Sequence, residues 1–148
     1  MSYRRFAEDT SVPVERSTAA LEEMLRRAGC LSFARGTHPG QAVVEFAMKD
    51  RRIRLRMKLP AVLAAQTPAQ RARAEQEHRR LWRALLLVVK AKLEGVRSGI
   101  ETFEEAFLPH IVMPDGKTMA ELVIPQIAVA YKTGKMPPLL PGLGETGQ

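Results

Sequence analysis

QAVVEFAMKDRRIRLRMKL, residues 41 to 59, alternates apolar and polar side chains on both sides of a short break. Successive side chains of a strand point to opposite faces, so a period of two separates two surfaces. Val44, Phe46 and Met48 fall on one of them, with Ile53, Leu55, Met57 and Leu59. A two-residue loop at Asp50-Arg51 would pair Met48 with Ile53, Phe46 with Leu55 and Val44 with Met57. The same register sets Lys49 against Arg52, Ala47 against Arg54, Glu45 against Arg56 and Val43 against Lys58. A slip of one residue would mix the faces, so this stretch predicts an antiparallel hairpin with one apolar and one charged face.

Working outward, CLSFAR at 30–35 reads as a further strand, joined to the hairpin through the turn GTHPG. Upstream, Leu21, Met24, Leu25 and Ala28 share one face of a helix running from about Val14 to Ala28, stopped by Gly29. Downstream, Leu59-Pro60 ends the strand and AVLAAQ, 61–66, forms a short turn or helical piece. Thr67 as N-cap and Pro68 at the first position then open a long helix. Leu81, Leu85, Val88, Val89, Leu93 and Val96 keep helical spacing, and Leu86 and Leu87 broaden the stripe, which predicts a middle section buried on most sides. Run from 68 to 96, such a helix measures ~40 Å.

Two capping boxes follow, Thr102 with Glu105 and Thr118 with Glu121. The first opens a short helix over 102–108. The second opens a last helix reaching about Lys132, with a kink at Pro125 or a start nearer to it. Residues 1–13 read as a flexible lead-in, 14–134 as one domain and 135–148 as a Pro/Gly-rich extended tail. The fold class is α+β: an N-terminal helix, a three-stranded antiparallel meander, a long helix and a smaller helical C-terminal part. The helices cover the apolar face of the sheet, and its charged face is left open.

No catalytic pattern emerges. His38, His78 and His110 stand apart from each other and from Cys30, and no ligand spacing for a metal is present. DGKT at 115–118 lacks the upstream glycine of a phosphate loop and reads as a turn with an N-cap. Glu101, Glu104 and Glu105 read as a solvated acidic face. The expectation is therefore a protein that is not an enzyme and carries no cofactor. One cysteine excludes an internal disulfide, the N-terminus lacks a secretory core, and ALLLVV at 84–89 is too short to span a bilayer, which together point to the cytoplasm.

The remaining signal is charge. Lys and Arg number 23 against 16 Asp and Glu, a net +7. The outer hairpin face gathers Lys49, Arg52, Arg54, Arg56 and Lys58 against Glu45, and the long helix adds Arg71, Arg79, Arg80 and Arg83. Guanidinium forks grip phosphate oxygens, so these nine residues are the candidate nucleic-acid contacts. The outward face carries no aromatic, which favours backbone contact with DNA over base stacking. The bland alternative is a solvated face that blocks edge-to-edge aggregation. A second functional reading is a protein-interaction module, such as an inhibitor of a host defence or replication factor. A homo-oligomer formed through the exposed stripe of the long helix stays open.

YRRFAEDTSVPVERS at 3–17, WRALLLVVKAKLEGVRSGIETFEEAFLPHIVMPDGKT at 82–118 and IPQIAVAYKTGKMPPLLPG at 124–142 resemble a family of small uncharacterised bacteriophage and prophage proteins. The resemblance implies a mobile-element origin and a host-cytoplasmic setting, and it assigns no activity and no functional residue. The order of elements is also similar to the core of single-strand annealing recombinases and to double-stranded-RNA-binding domains, though neither likeness rests on a motif.

Overall fold

A computed structural model describes residues 11–61 and 66–141. Most of the expected lead-in, residues 62–65 of the AVLAAQ piece and the end of the tail lie outside the described residues. The elements run α1 (Val14–Arg27), β1 (Ser32–His38), β2 (Gln41–Met48), β3 (Arg51–Lys58), α2 (Pro68–Arg97), α3 (Phe103–Phe107), a 3₁₀ turn (Leu108–His110) and α4 (Met119–Thr133). The sheet is antiparallel in the order β1-β2-β3, so the fold is α+β in the sequence of elements expected.

The hairpin keeps its faces and changes its partners. Its loop is Lys49-Asp50, and the pairs are Met48 with Arg51, Phe46 with Ile53, Val44 with Leu55 and Ala42 with Met57. This register differs from the expected one by two residues along the partner strand. A two-residue slip preserves side-chain parity, so Ala42, Val44, Phe46, Met48, Ile53 and Leu55 are buried either way. Backbone geometry decides the loop: Lys49 and Asp50 have φ of 50° and 60°, as a type I′ turn requires. Lys49 therefore sits in the turn and not on the charged face opposite Arg52.

β1 also lies further along than expected. Gly36, Thr37 and His38 belong to the strand, and the turn narrows to Pro39-Gly40, with Gly40 at φ +82°. Proline presets the first corner of such a turn and glycine takes the positive φ of the second.

Leu21 and Leu25 of α1 and Trp82, Leu85 and Val89 of α2 bury against the sheet's apolar face with Phe103, Phe107 and Ile111. Phe107 meets Phe46 edge-on with ring centroids 5.7 Å apart. The long helix is N-capped by Thr67, with Gln70 closing the box. Its middle is buried on one side only: Leu87 and Val88 are 42% and 47% exposed. The broad leucine stripe thus faces water in part, because the sheet and α1 cover a single flank of α2.

Both expected capping boxes form. The last helix starts at Met119, runs through Pro125 and ends at Gly134, which takes φ 69°. Between the short helix and α4 the chain does something the hydropathy pattern did not announce. Ile111 bridges Ile53 antiparallel, and the Val112 N–H donates to the Arg52 carbonyl at 2.8 Å. Residues 113–117 then double back, with Met113 N–H donating to the Lys117 carbonyl and Met119 N–H to the Ile111 carbonyl. This strap lies along the free edge of β3, so the charged side of the hairpin is partly covered and not open as expected.

Replacing the turn by a sequence suited to two positive φ values, Lys49→Asn with Asp50→Gly, should stabilise the protein by about 1 kcal/mol in urea unfolding. A loss of stability would mean that Lys49 occupies a strand position.

Candidate nucleic-acid interface

The outward side chains of β3 alternate with its buried ones, which places Arg52, Arg54, Arg56 and Lys58 on one surface. β2, the strap and α4 between them bring acceptors to three of these. Glu45 sits directly opposite Arg54 and accepts its Nε–H, while Arg54 Nη1 donates to the Gly116 carbonyl at 2.8 Å. The Arg54 side chain is consequently only 15% exposed. Arg52 reaches the same Glu45 oxygen at 3.6 Å and remains 62% exposed. Arg56 donates to Glu121 at the start of α4. Arg51, at the turn, pairs with Glu104 at 2.7 Å. Two carboxylates, Glu45 and Glu121, thus offset the three arginines of the face, and Lys58 stays exposed without a carboxylate partner among the described residues.

The helix arginines are also divided. Arg80 forks onto Glu77, with N–O distances of 2.7–3.1 Å. Arg79 donates to the neutral Gln76. Arg71 is exposed at the first turns of α2, with no carboxylate partner among the described residues. Arg83 has none either. At 100° per residue Arg79 and Arg83 fall within ~40° of each other on the helix, and Lys90 and Arg97 fall on the same line. Sequence reasoning missed these last two. Their signal was the seven-residue spacing 83, 90, 97, which returns a helix to almost the same face.

The candidate set therefore separates into three groups. Arg52, Arg54 and Arg56 belong to an ion-pair network over the sheet. Lys49 sits in the turn, Lys58 stands exposed at the end of β3, Arg80 is tied within its helix and Arg71 lies off the line. Arg79 and Arg83 join Lys90 and Arg97 in a file that spans ~27 Å of helix at 1.5 Å per residue. Among the described residues Arg83, Lys90 and Arg97 have no carboxylate within ion-pair distance. Glu94 flanks the file and accepts from the Ser98 hydroxyl at 3.2 Å.

The perturbed titratable groups have local causes. The Thr118 backbone N–H, then Arg56, holds Glu121 below the usual carboxylate range. The Thr102 backbone N–H and hydroxyl do the same for Glu105. Burial, and secondarily Lys92, lowers His110, and the Lys92 ammonium donates to the Ala106 carbonyl at 2.8 Å. His78 Nε2 lies 2.7 Å from the Pro60 carbonyl, tying α2 to the end of β3. Cys30 is half-buried, and its thiol donates to the Ser32 carbonyl at 2.8 Å. Among the described residues no three His, Cys, Asp or Glu side chains are placed to share a metal ion, and no helix is long and apolar enough to cross a membrane.

Arg54→Met should cost about 2 kcal/mol, since it strips a part-buried carboxylate of its nearer partner and the Gly116 carbonyl of its donor, whereas Lys58→Met should change stability by less than ~0.5 kcal/mol; urea midpoints decide. His110 is neutral in the fold at a pH where the unfolded chain takes up a proton. Its contribution is thus complete above about pH 6.5 and falls away as pH drops toward the lowered native value. The melting temperature should rise between pH 5 and 7, and His110→Asn should flatten that rise. Compared with protein-family models, curated proteins and solved structures, the chain matches none.

Proposed function

We propose that this protein is a non-enzymatic accessory protein that binds nucleic acid through the phosphate backbone, with α2 in place of the sheet as its principal contact. The observation that carries this reading is the file Arg79, Arg83, Lys90 and Arg97. A row of cations lacking carboxylate partners attracts a polyanion, whereas ion-paired arginines have part of their charge already spent. Over ~27 Å such a row matches about eight base pairs of duplex at 3.4 Å each. No aromatic side chain stands in the file, and Trp82 is buried in the core, so stacking on bases contributes little.

A phage or prophage origin, implied by the resemblance of three long segments, fits a recombination, annealing or replication setting in the host cytoplasm. The order of meander and long helix supports annealing as the concrete version of the role. A protein-interaction module is the second reading, in which the same unpaired cations meet an acidic surface of a host factor.

Fluorescence anisotropy with single- and double-stranded DNA across a salt series tests the proposal. Binding should weaken with salt, and neutralising Arg79, Arg83, Lys90 and Arg97 together should reduce the log–log slope on duplex by about 3–4. Arg52→Gln with Arg56→Gln should leave that slope nearly unchanged. Absence of binding to either DNA at low salt would overturn the reading.

A further inference from the structure

Helix α4 has no buried residue, although its sequence MAELVIPQIAVAYKT is mostly apolar. Met119 packs against the core, and the helix is anchored at its start by its capping box and by the Met119 N–H to Ile111 carbonyl bond. Beyond that anchor Leu122, Val123, Gln126 and Ala130 are half-buried on the inner side, and the outer side faces solvent. Ile124, Ile127 and Tyr131 are 61%, 44% and 90% exposed. With Ala128 they follow the spacing i, i+3, i+4, i+7 and so form one continuous stripe. Of the twelve large hydrophobic residues exposed among the described residues, seven fall between 124 and 140. That concentration marks an interaction surface, since scattered exposed hydrophobics would need no explanation.

We infer that α4 is a dimerisation helix, which pairs antiparallel with α4 of a second copy of this chain about a two-fold axis between Ile127 and Ala128. The stripe is complementary to itself. In that arrangement Ile127 of each copy meets the small Ala128 of the other, which lets the helices approach closely, and Ile124 meets Tyr131. The charges agree as well. Glu121 and Lys132 lie on the same flank of the stripe, and equal flanks face each other across an antiparallel pair. Glu121 of one copy therefore falls at the C-terminal end of the other helix, beside Lys132 of its last turn and near Lys135 just past it. The acid stands at the N-terminal end of its helix and the lysines at the C-terminal end, where each also suits the helix dipole. Glu121 is held by Arg56 and stays 36% exposed, so it can accept this second cation. A two-fold interface of this kind is isologous and closes on itself. Because α4 is already folded on its strap, association does not have to order it.

The inference does not depend on nucleic-acid binding, and salt separates the two. Dimerisation rests mainly on apolar contact, and salt screens both the Glu121–lysine attraction and the repulsion between two +7 chains, so it should persist at salt concentrations that abolish phosphate contacts. Light scattering and sedimentation equilibrium over micromolar to submillimolar protein should give twice the 16.5 kDa mass of the chain. Ile127→Asp should shift the equilibrium toward monomer by at least ~100-fold in Kd, and the exposed pair Lys132→Glu with Lys135→Glu by ~10-fold. Circular dichroism and melting of each variant confirm that the fold is retained. Leu87→Glu on α2 should leave the mass at the dimer value. A wild-type chain that stays monomeric throughout would overturn the inference, as would a dimer that survives Ile127→Asp or is lost through Leu87→Glu. A monomer that binds anionic phospholipid vesicles through α4 would also overturn it, and would assign the stripe to a lipid surface.

Discussion

The Val112 N–H to Arg52 carbonyl bond, with the Ile53–Ile111 bridge beside it, ties residues nearly sixty positions apart and fixes how the C-terminal third meets the sheet. An open strand edge exposes unpaired backbone groups, and this strap satisfies part of that need along β3. Its other effects follow from covalent continuity. The chain that pairs with Arg52 must turn at Pro114–Gly116, which delivers the Gly116 carbonyl to Arg54. It must then enter α4, whose capping-box residue Glu121 reaches Arg56. Edge pairing, charge compensation and the outward projection of α4 are one arrangement.

That arrangement changes what the basic composition means. An excess of cations counted along a chain says nothing about which of them keep an acid within reach. On the sheet, Glu45 and Glu121 engage arginines that are 9 and 65 residues away in sequence. On α2, where the local acids Glu77 and Glu94 bond to other neighbours, the file from Arg79 to Arg97 keeps its charge. The proposed phosphate contacts thus lie on a helix flank, while the sheet arginines Arg54 and Arg56 bond to carboxylates of the same molecule. The dimer helix lies on the C-terminal part, so the two proposed surfaces are built from different elements and can be tested apart.

Local signals were read well because their physics is local. Thr67, Thr102 and Thr118 cap helices by bonds to residues three positions on, and all three caps form. Alternation in residues 41–59 set the two faces of the hairpin, since side-chain parity survives any even shift. Parity could not choose between registers differing by two, and the turn decided: positive φ at Lys49 and Asp50 closed the loop one residue earlier than expected. Leucine periodicity in α2 located its helix and overstated its burial, because the pattern records hydrophobicity while Leu87 and Val88 find nothing to cover them. The strap left only a faint trace, a β-branched pair at Ile111-Val112 before a Pro-Asp-Gly turn, too short for a periodic signal.

The amino-acid order by itself determined the α+β class, the element order, the apolar and charged faces of the hairpin, the helix starts and the net charge. Each of these follows from interactions within a few residues or from composition. Tertiary structure alone decided which sheet arginines are neutralised and which helix is left without a covering layer. Those outcomes depend on distances between segments far apart in the chain, and such distances exist only once the strap, the sheet and the helices have packed.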